Sequence, residues 1–121
     1  MTNATATLQR EIRRGKISPA MSFAQKVWAI TARIPRGKVL TYADIARALK
    51  TNAFRAVGQA LHRNPYAPGV PCHRVVGSDG RLTGYAKGIE KKKRLLQAEG
   101  VQFRGSRVDL GKSHAGKLQA V

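Results

Sequence analysis

The chain's one cysteine, Cys72, stands in the run Pro71-Cys72-His73-Arg74-Val75-Val76. A thiolate is a strong nucleophile, and positive neighbours favour it over the thiol. His73 and Arg74 follow at once, while Pro65, Pro68, Gly69 and Pro71 precede. That places sulfur and imidazole at the exit of a rigid loop. The bland alternative is a small buried hydrophobe. Adjacency alone does not decide, because consecutive side chains on a strand point opposite ways. Glu99 is one of six acids and falls in the last turn of a helical pattern, where the helix dipole disfavours a carboxylate. It is either a solvated acid paired with Lys or Arg, or the group that orients His73 in a cysteine–histidine–acid relay. His62, His73 and His114 do not make a metal set with Cys72. A lone cysteine also excludes a disulfide framework and any multi-cysteine zinc site.

These residues need elements to position them. Phe23, Val27, Ile30 and Ile34 recur at i, i+4, i+7 and i+11, one face of a helix, with Ser22 and Gln25 as its capping box. Pro35 ends it, and Val39-Leu40 is short and apolar. A second helix begins at Thr41, with Tyr42, Ile45, Ala46 and Leu49 as its buried stripe; Tyr42 suits either core or site. Asn52 is the expected N-cap of a third helix carrying Phe54, Val57 and Leu61, stopped by Asn64-Pro65. Gly58 inside it costs about 1 kcal/mol against Ala, which predicts close packing there. Arg55, near its start, is placed to meet DNA, although most basic residues are solvated or phosphate-contacting charges. Two short helices joined by about three residues, the second bearing arginines, read as helix-turn-helix. Arg74-Val75-Val76, a turn over 77–80 and a return over 81–83 then suit a wing. A last helix runs from about Ile89 to Glu99 before Gly100, and its Lys91-Lys92-Lys93-Arg94 run reads as a solvated basic face. The fold class is mainly α with a small β wing, a winged helix-turn-helix. It divides into a basic arm over 1–21, where Leu8, Ile12 and Ile17 mark at most a short helical turn, the domain over 22–103, and a basic tail over 104–121 with Arg104, Arg107, Lys112 and Lys117, entered by a strand-like turn after residue 101.

Composition narrows the partner. The 121 residues are one domain's worth. Lys plus Arg number 23 against 6 acids, a net charge of +17. A surface so basic expects a polyanion, most commonly nucleic acid. An anionic membrane would require an amphipathic anchor. No run approaches the ~20 apolar residues of a span, and the N-terminus lacks a secretory core. The expected location is the cytoplasm, in association with the nucleoid, or the nucleus of a eukaryote.

With Arg55-Ala56-Val57-Gly58 and Asn64-Pro65 upstream, the Pro71–Val76 run resembles the C-terminal domain of O6-alkylguanine-DNA alkyltransferases, also called methylated-DNA–protein-cysteine methyltransferases, from about Phe23 to Val101. The resemblance implies minor-groove binding to double-stranded DNA, extrusion of the damaged guanine, and one-time transfer of its alkyl group to Cys72, a DNA-repair reaction without cofactor or metal. His73 would act through a water as the base, and Glu99 would hold it. Arg55 would enter the duplex, with Tyr42, Ala56, Gly58 and Arg74 as further DNA contacts. Tyr42 would also donate to the base, and Asn64 would stiffen the turn before the active-site loop. Backbone carbonyls of Cys72 and Val75 would accept from the guanine amino group. Tyr85, Leu61, Ala86 and Lys87 would complete the pocket. The expected state is a monomer without membrane contact, with other repair proteins as further partners. Phe54 departs from the pattern, standing where a small residue is usual. The nearest rival is an alkyltransferase-like protein, which binds such DNA without transfer, recruits another pathway and usually carries tryptophan in place of the cysteine. A winged-helix regulator would have no use for Cys72, and a thiol hydrolase no need of +17.

Overall fold

Ser22 and Gln25 close both halves of a capping box ahead of helix α2 (Phe23–Ala32), which becomes the centre of the molecule. The computed structural model describes residues 4–85 and 88–116. Val27, Ile30 and Ile34 pack against Ile45 and Ala46 of α3 (Tyr42–Ala48) and Val57, Ala60 and Leu61 of α4 (Phe54–His62). Burying each large aliphatic side chain contributes about 1.5–3 kcal/mol. The Trp28 indole N–H donates to the Ala60 carbonyl at 2.7 Å, tying α2 to α4. Thr41 caps α3 and Asp44 reciprocates, a second full capping box. Helix α4 starts after Ala53, whose side chain supplies no cap, rather than from an Asn52 cap.

Strand β1 (Leu40–Thr41) pairs in parallel with β2 (Val75–Val76), Leu40 opposite Val75 and Thr41 opposite Val76. This corrects the expected hairpin between 74–76 and 81–83. Val75 and Val76 are both fully buried, the continuous apolar run of a parallel strand rather than the alternation of a wing. The turn itself forms, with the Gly77 amide donating to the Arg81 carbonyl at 2.9 Å. Arg81 instead bridges antiparallel to Arg107. At Gly80, φ is +85° and an added Cβ would strike the Val108 backbone, so only glycine fits there.

Both expected extensions are docked. Helix α1 (Ala4–Arg13) lies within the segment read as an arm, and its Ile12 is fully buried in a cluster with Met21, Ala29 and Val70. Helix α5 (Ile89–Ala98) is followed by the hairpin β3 (Phe103–Arg104) and β4 (Arg107–Val108) and by the short α6 (Leu110–Ser113). The segment read as a tail therefore packs back onto the domain. The Val39 amide donates to the Ser113 carbonyl, the Ala115 amide to the Val39 carbonyl, and the His114 ring sits 2.7 Å from Asp44. Two apolar positions, Val101 and Val108, anchor that return. The expectations for Ala86, Lys87 and Lys117 fall outside the described residues. The architecture is mainly helical with two small sheets. None of the described helices is long and apolar enough to cross a membrane.

Candidate active site

A 3₁₀ turn over Cys72–Arg74 places three functional side chains at successive positions. The loop before it is held by Asn64, whose side-chain amide donates to the Val70 carbonyl at 2.8 Å and accepts from the Tyr66 amide at 2.9 Å. The Cys72 and Arg74 amides then donate to the Val70 and Pro71 carbonyls. Because the segment turns rather than extends, His73 and Arg74 do not point opposite ways. Both reach Glu99, the C-cap residue of α5.

Glu99 is the hub. Its Oε2 accepts from His73 Nε2 at 3.0 Å and from Arg74 Nη2 at 2.8 Å, while its Oε1 accepts from Arg74 Nε at 2.9 Å. Burial works against its ionisation, but hydrogen bonds from Arg74 and His73 prevail and hold the carboxyl below its ordinary value. The carboxylate fixes the His73 tautomer, with the proton on Nε2. His73 Nδ1 is buried and has no hydrogen-bond partner among the described residues, so it is free to accept a proton. Burial lowers the imidazole's pKa, assisted by Arg74 and Lys92 and opposed by Glu99. The ring is therefore neutral at pH 7.

Arg74, expected among the DNA contacts, commits its donors inside the protein. Its third donor, Nη1, goes to the Ile34 carbonyl at 2.7 Å. A carboxylate buried at a helix C-terminus needs a cation beside it, and Arg74 is spent on that. Lys92 is the larger surprise. The basic run in α5 reads as a solvated face, yet Lys92 is 1% exposed. Its Nζ donates to the Thr83 carbonyl at 2.8 Å and lies 6.0 Å from the Tyr42 ring centroid. Burial lowers its pKa to about 8. The signal was in the sequence: Lys92 shares a helical stripe with Leu95, Leu96 and Glu99.

Tyr42 opens α3, its hydroxyl 3.2 Å from both the carbonyl and the hydroxyl of Thr83. Tyr85 is buried and meets His73 edge-on at a centroid distance of 6.4 Å. Burial raises the pKa of both tyrosines, and the nearby Cys72 sulfur adds to the rise. Leu61 and Val75 lie with Cys72 and Tyr85 in the apolar core around the thiol. Cys72 itself is 8% exposed.

Outside this buried group lies an open cavity of about 810 Å³, lined by Tyr42, Phe54, Arg55, Gly58, Thr83 and Gly84 among others. Tyr42, which packs against the cluster holding Cys72, is the wall shared with that side. Arg55 is exposed, Ala56 half-buried and Gly58 half-buried. Close packing was expected at Gly58, but an added Cβ there meets nothing within 4 Å. The open side of α4 faces outward, so the missing side chain leaves room for something outside the chain. Among the described residues, no three His, Cys, Asp or Glu side chains converge on a metal position.

Residues 22–101 match the family model described as "6-O-methylguanine DNA methyltransferase, DNA binding domain". A methylated-DNA–protein-cysteine methyltransferase of Methanosarcina barkeri is 49% identical over 86 residues, 69% of this chain and 54% of the relative. The chain spans about half the length of the curated relatives it matches. Among solved structures, Mycobacterium tuberculosis OGT in complex with DNA superposes with a TM-score of 0.64 at 32% identity, covering 92% of this chain and 68% of that one. S. pombe Atl1, in complex with damaged DNA containing O6-carboxymethylguanine, superposes at 0.66 and 32% identity, covering 76% and 93%.

Proposed function

The chain belongs to the 6-O-methylguanine DNA methyltransferase family, and on that premise we propose that it repairs DNA by moving an alkyl group from the O6 of guanine onto Cys72. The observation that carries this reading is a buried His73, in the same turn as the buried Cys72 and bound to a Glu99 that Arg74 holds. A binding-only protein has no use for a relay ending beside a thiol.

The alkyl carbon on O6 lies inside the duplex, so the base must leave the stack at a cost of a few kcal/mol. In this reading α3 and α4 are a helix-turn-helix laid in the minor groove, and the turn over 77–81 serves as the wing. Arg55 enters the duplex and offsets the cost of the lost stacking. Gly58 and Ala56 let the sugar–phosphate chain approach α4 closely, and Tyr42 contacts the target's phosphate. Basic side chains elsewhere supply sequence-independent affinity.

His73 Nδ1 takes the thiol proton through a water, and Glu99 stabilises the resulting imidazolium. Sulfur then attacks the alkyl carbon. The carbon–oxygen bond breaks, its electron pair goes to the purine, and the purine takes up one proton from water while the imidazolium returns the thiol's proton to water. Tyr85 and Tyr42, both protonated at pH 7, are hydrogen-bond donors for the departing base. The products are a thioether and guanine. Carbon–sulfur bonds of this kind have no easy exit, so each molecule reacts once, as a monomer and without cofactor.

Duplex carrying O6-[³H-methyl]guanine tests this. Label should pass from DNA to protein, one methyl per chain, and none should reach Cys72→Ala even though that variant still binds. Label reaching Cys72→Ala would place the acceptor elsewhere. The S. pombe Atl1 likeness, over nearly all of that chain, keeps a second reading in view. Retention of the methyl on DNA in a tight complex with the unaltered protein would favour it.

A further inference from the structure

Phe54 opens α4 with half of its surface exposed, at 51%. Phe23 and Ile89 are the other large apolar residues exposed among the described ones; neither borders the cavity beside Arg55. The buried stripe of α4 is Val57, Ala60 and Leu61. Phe54, i+3 from Val57 and i+7 from Leu61, was expected on that stripe but leaves half of its surface outside it, at the border with an outer row of Gly58 and His62 and beside a second row of Arg55, Gln59 and Arg63. Helical spacing puts 54, 58 and 62 in one row and 55, 59 and 63 in the next. An aromatic ring thus projects from a surface whose neighbours are two arginines and a bare glycine.

The exposed half of that ring gains nothing inside the molecule. A lone aromatic on a surface of charge +17 attracts no second copy of the chain, because like charges repel. It does suit a polyanion whose interior is made of stacked π-faces. Apolar side chains entering a minor groove partly unstack a base step and kink the duplex.

Building on the reading of this surface as the DNA-facing one, we propose that Phe54 is a second inserting residue, an apolar wedge that enters the minor groove at the base step next to the one opened by Arg55. Arg55 replaces the hydrogen bonds and stacking of the extruded base. Phe54 holds the neighbouring step open and bent, which lowers the barrier to extrusion. The wedge acts on the duplex alone, so its effect is confined to double-stranded substrate. It adds no charge contact, so the salt dependence of binding does not change with it. Pyrimidine–purine steps open more readily than stiff ones. Loss of the wedge therefore hurts most where the neighbouring step is stiff.

The test uses the full chain and its Phe54→Ala and Phe54→Leu variants. Single-turnover transfer is measured on O6-methylguanine in duplex and on the free O6-benzylguanine base, and donor–acceptor dyes at the duplex ends report bending. Phe54→Ala should slow the duplex reaction about 10-fold more than the free-base reaction, and relax the bend. Phe54→Leu should keep most of both, since a branched aliphatic can still wedge. Equal slowing on both substrates, an unchanged duplex rate, or a shift in oligomeric state in place of a DNA effect would each overturn the proposal. If the parent chain binds the lesion but transfers nothing, the repair reading fails on its own. In that case bending by Cys72→Ser with and without Phe54→Ala still decides the wedge.

Discussion

The relay beneath Tyr85 and the outer face of α4 are built on opposite rules. Around Glu99 nearly every donor and acceptor is matched, at 2.7–3.0 Å, within side chains almost closed to water. The exception is His73 Nδ1, the atom the proposed chemistry needs. On the outer face Arg55 and Phe54 are exposed, and a Cβ added at Gly58 would meet nothing within 4 Å. Buried polar groups are costly unless fully satisfied, so the inner region is rigid and its geometry is tied to the stability of the fold. The outer region contributes little to the fold and is free to be shaped by a ligand. Substitutions inside should damage stability and chemistry together, and substitutions outside should damage only the encounter with DNA.

The sharpest break comes at the hub. Glu99→Gln removes the charge that orients His73 and balances Arg74, leaving a guanidinium poorly paired in a dry site. Transfer should slow about 100-fold and the fold should lose about 3 kcal/mol, read by single-turnover kinetics and denaturant unfolding. An active, fully stable Glu99→Gln would separate the two properties the inner region is held to join. Next comes Arg55→Ala. Duplex repair should fall about 10-fold or more relative to the free base, while stability stays within about 0.5 kcal/mol. Equal loss on both substrates would remove Arg55 from base extrusion.

pH sharpens the comparison further. The folded His73 pKa is lowered, so between it and the ordinary 6.5 the unfolded chain binds the proton first. Stability from this group is full above 6.5 and falls as pH drops below it. The neutral base also persists there, so the acid limb of the transfer rate should lie below pH 6.5; a limb above it would mean the imidazole is not desolvated. The smallest effect concerns Lys92, charged in both states below pH 8 and neutral in both above 10.5. Its burial penalty is complete at pH 7 and disappears across that window. Lys92→Met should be as stable as the parent or more so at pH 7, with the difference shrinking towards pH 10.5, and should loosen Thr83 and Tyr42 enough to slow transfer. A stability difference that does not change with pH would place the lysine in water.

Local signals were legible in the residues themselves. Ser22 with Gln25 and Thr41 with Asp44 are capping boxes in sequence and in space, and Ile89–Ala98 ends before Gly100 at φ +89° as its pattern indicates. Long-range pairings were not legible. Nothing local in Val75-Val76 reveals that its partner is Leu40-Thr41, because a two-residue apolar strand fits a hairpin or a parallel pair equally well. Helix α1 was obscured because Leu8 and Ile12 are its only large apolar residues, and its burial comes from Met21 and Val70, far along the chain. Lys92 was misplaced, and the internal pairing of Arg74 went unread, for one shared reason. Charge is read as exposure by default, and only the three-dimensional position of Glu99 and Thr83 reveals that these two cations face inward.

The central claim is that the Cys72 sulfur becomes bonded to carbon taken from DNA. Intact-mass and peptide spectra of the protein after incubation with O6-methylguanine duplex address it directly. The account predicts the addition of one methyl group, mapped to the peptide holding Cys72, in proportion to the lesion supplied. An unchanged mass alongside a saturated protein–DNA complex would contradict it.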